Sequence, residues 1–225
     1  MTTIAILPMK AHSERVPGKN FRHVEGVPLY QRIIATAMAS KLDAVYCYTD
    51  SDEIMEFAID KGCLPLFRGP GTEAHNGNWI MSVPRQRIID SGVRADVWMK
   101  LQCTSPFLRS ETIDEAIWIL DRYRWFDSLL TYSVVKDQFL WRDNTALYQE
   151  VGHGRTQDWP ELFVSETHGI KAIRDNALAQ LGKTVGSRPF FLEVTGKEAM
   201  DIDWEADIER AQESGYTEGA EDLPY

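Results

Sequence analysis

Cysteine, positive charge and long apolar runs are all scarce in this chain, and each scarcity removes a class of protein. The three cysteines, Cys47, Cys63 and Cys103, stand apart in apolar surroundings with no Cys-x-x-Cys spacing, which argues against a disulfide framework and against a zinc site. Buried, reduced thiols are expected. Lys and Arg total 24 against 34 Asp and Glu, a formal net charge of -10, so the broad basic face of a dedicated nucleic-acid binder is not available. A nucleotide needs only a local patch and is still allowed. No apolar stretch approaches the roughly 18 residues of a transmembrane helix, and Met1 to Pro8 has neither a basic segment nor a long apolar one. The expectation is a cytoplasmic protein with no membrane association. His12, His23, His75, His153 and His168 show no metal-ligand spacing, and no Gly-x-Ser-x-Gly elbow is present, so nucleophilic catalysis finds no support. The Gly-rich Walker loop and the glycine triplet of a dinucleotide fold are also missing.

What is present is an alternation of strands and helices. The 44% hydrophobic and 26% charged content suits one globular domain spanning residues 1–225 with a real core. Thr3 to Leu7 is a short apolar run ended by Pro8, and Leu29, Ile33, Ile34, Ala37 and Met38 fall on one face of a helix. Val45 to Tyr48 reads as a second strand, followed by a helix from Glu53 to Lys61 that Asp50 or Ser51 can cap and Gly62 ends. Leu64 to Phe67 and Asp96 to Gln102 are further strands. Ser110 is expected to cap a helix with Ile113, Ala116, Ile117 and Leu120 as its core stripe, and Ser128 to Val135 is another strand. From Lys136 to Arg174 aromatic and polar residues interleave around Gly152, Gly154 and Pro160, which reads as an excursion used in self-association. The chain returns through Phe190 to Val194 and ends in a helix bearing Trp204, Ile208 and Ala211, then an acidic tail, Thr217 to Tyr225. The order predicts an α/β, doubly wound, mostly parallel sheet.

Three segments carry chemistry. Between Lys10 and Arg22 there are four Lys/Arg and one Glu on an otherwise acidic protein. Ser13, the backbone N–H groups near it, and Lys10, Arg15 and Lys19 can surround phosphate oxygens at the carboxyl edge of the sheet; the same composition also fits a solvated basic turn. In Asp201-Ile202-Asp203 the two carboxylates share a face of an extended segment and can hold one Mg²⁺, while Asp203 is equally placed to cap the last helix. Gln102, Thr104 and Ser105, ahead of Pro106, offer neutral donors and acceptors for hydroxyls or a base edge, or simply close a strand into a Pro turn. Arg68 stands just beyond the third strand.

Taken together and in this order, the segments resemble the cytidylyltransferases that activate acidic 2-keto sugars, the CMP-sialic acid and CMP-Kdo synthetases. Ser13, Arg15, Pro17, Gly18 and Lys19 match the Kdo branch's loop, and Lys19-Asn20 matches the sialate branch. Gly26-Val27-Pro28-Leu29, Thr49-Asp50, Leu101 to Pro106, Phe139-Leu140-Trp141 and Asp201-Ile202-Asp203 extend the likeness over nearly the whole chain. The resemblance implies a Rossmann-like, nucleotide-diphospho-sugar-transferase-like fold and Mg²⁺-dependent transfer of CMP from CTP to an anionic sugar acid, with release of pyrophosphate. It implies that Lys10, Ser13, Arg15, Lys19, Asn20 and Arg68 bind the nucleotide and that Gln102, Thr104 and Ser105 bind the acceptor. Asp201 and Asp203 would hold the metal, with Lys19, Arg15 and the two aspartates catalytic, and residues 136–174 would be the dimerisation arm of a homodimer. The chain departs from the sialate pattern at Lys10 for Arg, His12 for Gly and Glu14 for Lys, so its loop is less cationic and less able to bind bidentately. The stretch Gly69 to Ser82, with His75-Asn76-Gly77-Asn78, matches neither branch. Kdo, a non-sugar acid such as a phosphonate, and a nucleotide-binding regulator without turnover are the alternatives to a nonulosonate-activating enzyme.

Overall fold

Successive residues of the first strand serve different cores. In β1 (Thr3–Met9), Ile4 and Ile6 enter one apolar cluster while Ala5, Leu7 and Met9 enter another, as the two-residue period of a strand buried on both faces requires. The computed structural model describes residues 1–13, 15–69, 79–135 and 163–213. After β1 come β2 (His23–Val24), β3 (Val27–Pro28), α1 (Leu29–Met38), β4 (Ala44–Thr49), α2 (Asp52–Asp60), β5 (Leu64–Phe67), α3 (Trp79–Asp90) and β6 (Val97–Leu101). Then follow α4 (Ser110–Arg122), β7 (Ser128–Val135), β8 (Phe163–Arg174), α5 (Asp175–Leu181), β9 (Pro189–Glu193) and α6 (Glu205–Glu213).

Seven strands form one sheet in the order β5-β4-β1-β6-β8-β7-β9, and β2 and β3 pair separately. β8 alone runs against its neighbours, antiparallel to both β6 and β7; the other pairs are parallel. The sheet is thus mostly parallel. The chain first builds outward from β1 to β4 and β5, then crosses to β6 on the other side of β1. The topological switch, where such folds bind ligands, falls between β1 and β6. β1 continues through Pro8 because only β4 pairs with it there; the β6 ladder ends at Ile6.

Helices cover both faces. Leu29, Ile33, Ile34 and Ala37 of α1, Ile54 and Ala58 of α2, the Ile113 to Leu120 stripe of α4 and Ile208 and Ala211 of α6 pack on one. Met81 and Ile88 of α3 and Ala177 and Leu178 of α5 pack on the other. Cys47, Cys63 and Cys103 are free and buried, and burial pushes the Cys47 thiol up to about 12 and that of Cys63 to about 11.

Several local expectations change. Ser51 rather than Asp50 caps α2, accepting the Ile54 N–H at 3.3 Å. Ser110 is the first residue of α4, not its cap; the buried Glu198 carboxylate, distant in sequence, accepts from the Arg109 N–H at 3.1 Å and from the Thr112 hydroxyl at 2.5 Å. That places an anion where the helix dipole favours one. Trp204 precedes the last helix and is exposed. Of the expected self-association arm, residues 163–174 are β8, a strand inside the main sheet. Residues 136–162, the 70–78 part of the Gly69 to Ser82 stretch, Glu14 and the tail lie outside the described residues.

One carboxylate joins the elements on the α3/α5 face. Asp175 Oδ1 accepts from the buried Trp98 Nε1 at 2.7 Å and from Arg85 Nε at 2.7 Å, and the Arg85 guanidinium lies over the Trp98 ring. Asp175→Ala leaves a buried indole N–H and a nearly buried guanidinium without their acceptor. The expected loss is about 2–3 kcal/mol in urea unfolding, with unchanged m; a loss below about 0.5 kcal/mol would show that water replaces the carboxylate.

Candidate functional site

The loop after β1 is shaped by bonds between its backbone and polar side chains before any ligand is considered. Asn20 Nδ2 donates to the Lys10 carbonyl at 2.8 Å, and the Ala11 N–H donates to Asp50 Oδ1 at 2.6 Å. Val16 is fully buried and plugs the loop into the core, Gly18 adopts φ 61, and a 3-10 turn over Lys19–Phe21 follows. The positive φ is one that glycine adopts without a Cβ clash. Lys19 is carried inward by this turn to 7% exposure, and its ammonium donates to the Ile202 carbonyl at 2.6 Å.

That bond brings the C-terminal carboxylates to the N-terminal cations. Asp203 Oδ1 lies 2.7 Å from Arg15 Nη2 and 3.4 Å from Lys19 Nζ, and the Arg15 guanidinium stacks over Trp204 at 5.5 Å. The Ile202 N–H donates to the Thr104 carbonyl at 2.8 Å, fixing the same segment to the loop after β6. Asp203 does not serve as the helix cap. The start of α6 is served by Asp207, whose Oδ2 accepts from the Asp203 and Trp204 N–H groups at 2.9 and 2.7 Å, the returning half of a capping box. Arg22 pairs with both carboxylate oxygens of Glu205 and holds α6 against the loop.

Between these walls is a cavity of about 570 Å³ at the carboxyl ends of β1 and β6. Lys10, Ser13, Arg15, Lys19, Asn20, Arg68, Gln102 and Thr104, all named from the sequence, line it. Arg68 is 3% exposed with its guanidinium over the Tyr48 ring. Ser105 is not brought to the cavity: it is buried, and its hydroxyl donates to the Thr167 carbonyl at 3.4 Å. Asp201 and Asp203 lie beside the lining rather than in it.

Among the lining residues that the sequence reading does not single out are Lys100, His168 and Lys171. Lys100 and Lys171 face each other in register across the antiparallel β6/β8 pair. Lys100 is buried and donates to Gln102 Oε1 at 2.5 Å. Burial, with Lys171 opposite, lowers its ammonium to about 8 despite Glu166 and Asp201. The Lys171 ammonium is 2.6 Å from Glu166 Oε1, which is also 3.1 Å from His168 Nδ1. His168 and then Lys171 hold the Glu166 carboxyl down to about 2 against the effect of burial. A bulge makes this arrangement possible. Thr131 of β7 opposes the four residues from Thr167 to Ile170, its Oγ1 accepting from the Thr167 hydroxyl and the Ile170 N–H, while His168 is held at φ 59. Bulges re-aim side chains in this way beside active sites. A Lys inside the otherwise apolar run Val97 to Leu101 was the signal for Lys100.

Six Lys/Arg side chains therefore line the cavity, with no carboxylate among the described lining residues. Such a wall has the charge that suits a polyanion. At its edge, Asp201 Oδ1 is buried with no hydrogen-bond partner, and burial raises the Asp201 carboxyl even though the Thr104 hydroxyl opposes the rise. A hard divalent ion meets both conditions, since it supplies the missing partner and favours the charged carboxylate. No group of three or more His, Cys, Asp or Glu suited to a metal occurs among the described residues, so an ion held by Asp201 and Asp203 would draw its other ligands from phosphate and water.

Lys100 makes a pH prediction. Its folded value lies below the unfolded one, so the burial penalty is borne in full below pH 8 and is relieved as pH climbs from 8 towards 10.5. Relative to Lys100→Met, the wild type should gain on the order of 3 kcal/mol across that window in urea titrations. A difference between the two proteins that stays constant with pH would show that Lys100 is not the group responsible.

Comparison with known proteins follows the same lines. The cytidylyltransferase family model matches residues 4–125. N-acylneuraminate cytidylyltransferase B of Danio rerio is 26% identical over 224 residues, covering 94% of this chain and 52% of that protein. CMP-N,N'-diacetyllegionaminic acid synthase of Legionella pneumophila is 32% identical over 121 residues, covering 52% of each. The chain spans about half the length of these curated relatives. The solved structure of CMP:2-keto-3-deoxy-manno-octonic acid synthetase complexed with CTP superposes with a TM-score of 0.66 over 96% of this chain and 99% of that one, at 16% identity, a likeness of fold. With its first three strands, its basic loop and its β6 edge all inside the matched region, this chain belongs to the cytidylyltransferase family.

Proposed function

We propose that the chain transfers CMP from CTP to the anomeric hydroxyl of an acidic 2-keto sugar of the nonulosonate or Kdo type, releasing pyrophosphate. The observation that carries this reading is the six-cation cavity at the β1/β6 switch point, with Asp201-Ile202-Asp203 tied to its edge through Lys19. Its relatives support the acceptor class, being named for N-acylneuraminate, N,N'-diacetyllegionaminic acid and 2-keto-3-deoxy-manno-octonic acid.

In this reading Lys10, Ser13, Arg15, Lys19, Asn20 and Arg68 hold the triphosphate, and Gln102 and Thr104 face the acceptor. The acceptor oxygen attacks the α-phosphorus and forms a new P–O bond, the bond from the α-phosphorus to the oxygen bridging to the β-phosphate breaks, pyrophosphate leaves with that oxygen and its electron pair, and the hydroxyl proton passes to solvent. Negative charge gathers on the departing pyrophosphate. Arg15 and Lys19 lie close enough together to share one Asp203 oxygen, so the same two cations can stabilise that charge from fixed positions, where charge-assisted bonds contribute most. Asp201 and Asp203 would hold Mg²⁺, which when bound neutralises phosphate charge. Asn20 has a second task, because its amide braces the Lys10 carbonyl. Asp203 must release Arg15 and Lys19 as phosphate arrives. Self-association through the 136–174 segment belongs to the same proposal, and sedimentation of the purified chain reads it out.

Pyrophosphate release with CTP and Mg²⁺ tests the reading against a panel of N-acetylneuraminate, N,N'-diacetyllegionaminate, 3-deoxy-manno-octulosonate and a hydroxyalkyl phosphonate. Release with one of the sugar acids is expected, and release with none rejects the proposal. Lys19→Ala should lower turnover on the order of 100-fold, and Asp201→Ala should abolish the Mg²⁺-dependent rate. Near-normal rates in either variant would remove that residue's assigned role.

A further inference from the structure

The charge in the cavity is not spread evenly. Lys10, Arg15 and Lys19 sit on the loop after β1 and Arg68 follows β5, whereas Lys100 and Lys171 are on adjacent strands, β6 and β8. Residues directly opposite in a ladder project from the same face, and like charges so placed oppose folding. Lys100 is only 8% exposed, so solvent does little to screen the pair. Nothing about packing asks for a second ammonium there: Ile4, Ile6, Trp98 and Ile173 on the same face are apolar. The arrangement is explained by an anion that both ammonium groups meet.

The surroundings restrict that anion. Glu166 already pairs with Lys171, and Asp201 also acts on Lys100, so the surroundings leave the two ammonium groups little uncompensated charge. A phosphate group, carrying up to two negative charges beside Glu166, is the poorer fit there, and a singly charged carboxylate the better one. Lys171 Nζ pairs with a Glu166 oxygen at 2.6 Å, so an incoming carboxylate would share that ammonium with Glu166. The Lys100 ammonium also occupies Gln102 Oε1, which leaves the Gln102 amide as a donor through Nε2. Cation pair and amide donor together offer a carboxylate and a neighbouring hydroxyl or carbonyl separate partners.

We propose that Lys100 and Lys171, braced by Glu166 and the β8 bulge at His168, form the subsite for the acceptor's carboxylate and so select acids over neutral sugars. This rests on the transfer reaction proposed above. The two strands make the subsite rigid, and the loop cations remain for the triphosphate. Lys100 and Lys171 would then act on acceptor binding rather than on the chemical step.

The test measures pyrophosphate release with N-acetylneuraminate and 3-deoxy-manno-octulosonate as probes, and CTP binding by calorimetry without acceptor. Lys171→Met and Lys100→Met should each raise KM for the reactive acid at least tenfold, with the CTP Kd within twofold of wild type. Lys171→Arg, which keeps the charge, should recover most of the loss. Thermal unfolding shows whether each variant is folded, and Lys171→Arg gives a usable comparison if a Met variant is not. A matching loss of CTP affinity would assign the pair to the nucleotide phosphates and overturn the proposal. An unchanged acid KM in folded variants would overturn it too. A wild type that binds CTP but reacts with neither acid removes the acceptor reading itself, and this subsite with it.

Discussion

The parallel pairing of β1 with β6 determines where ligands can meet this molecule. Thr3 to Ile6 run beside Val97 to Lys100, and the chain leaves these two strands in loops that end on the same edge. Burial of both faces of β1 gives no freedom of register, because a slip of one residue would exchange Ile4 and Ile6 for Ala5 and Leu7 between the two cores. The basic loop and the Gln102 to Pro106 turn are therefore neighbours by construction. Lys19 then draws in a third segment more than 180 residues away, through its bond to the Ile202 carbonyl.

Much of this could be read in the sequence because its signals were local. Leu64 to Phe67 and Ser128 to Val135 are strands with the expected bounds, and the α1 and α4 stripes pack as their period implies. What was missed has a physical reason in each case. Helix α3 contains Pro84, which breaks the usual signature of a helix. Strand β8 is interrupted by its bulge, so its alternation fails where the site needs it to. The caps of α4 and the brace at Asp50 are contacts between residues far apart in sequence, and no local pattern encodes them. Of the residues proposed for the site, the loop cations stood out as charge against an acidic background. Ser105 lies outside the cavity lining and bonds to the Thr167 carbonyl, a structural use that a small polar side chain serves as readily as ligand binding.

An acidic chain with a cationic interior edge divides its electrostatics by distance. The net charge of -10 acts at long range and is screened within about 10 Å in moderate salt. Within the cavity the six cations dominate. Their supports differ: Arg15 is half exposed and stacked on Trp204, while Lys100 is enclosed between strands. A half-exposed guanidinium on the loop and an enclosed ammonium between strands give the cavity a solvated side and a desolvated side.

The pair formed by Asp203 with Arg15 and Lys19 gives the loop an internal counter-ion. On the proposed reading, an entering nucleotide would exchange one oxyanion for others, instead of adding negative charge to a bare basic surface. The loop cations are already oriented before that exchange, so little side-chain entropy remains to be lost. The proposed site would also carry a threshold: a ligand would have to offer Arg15 and Lys19 more than one carboxylate does, as a triphosphate could.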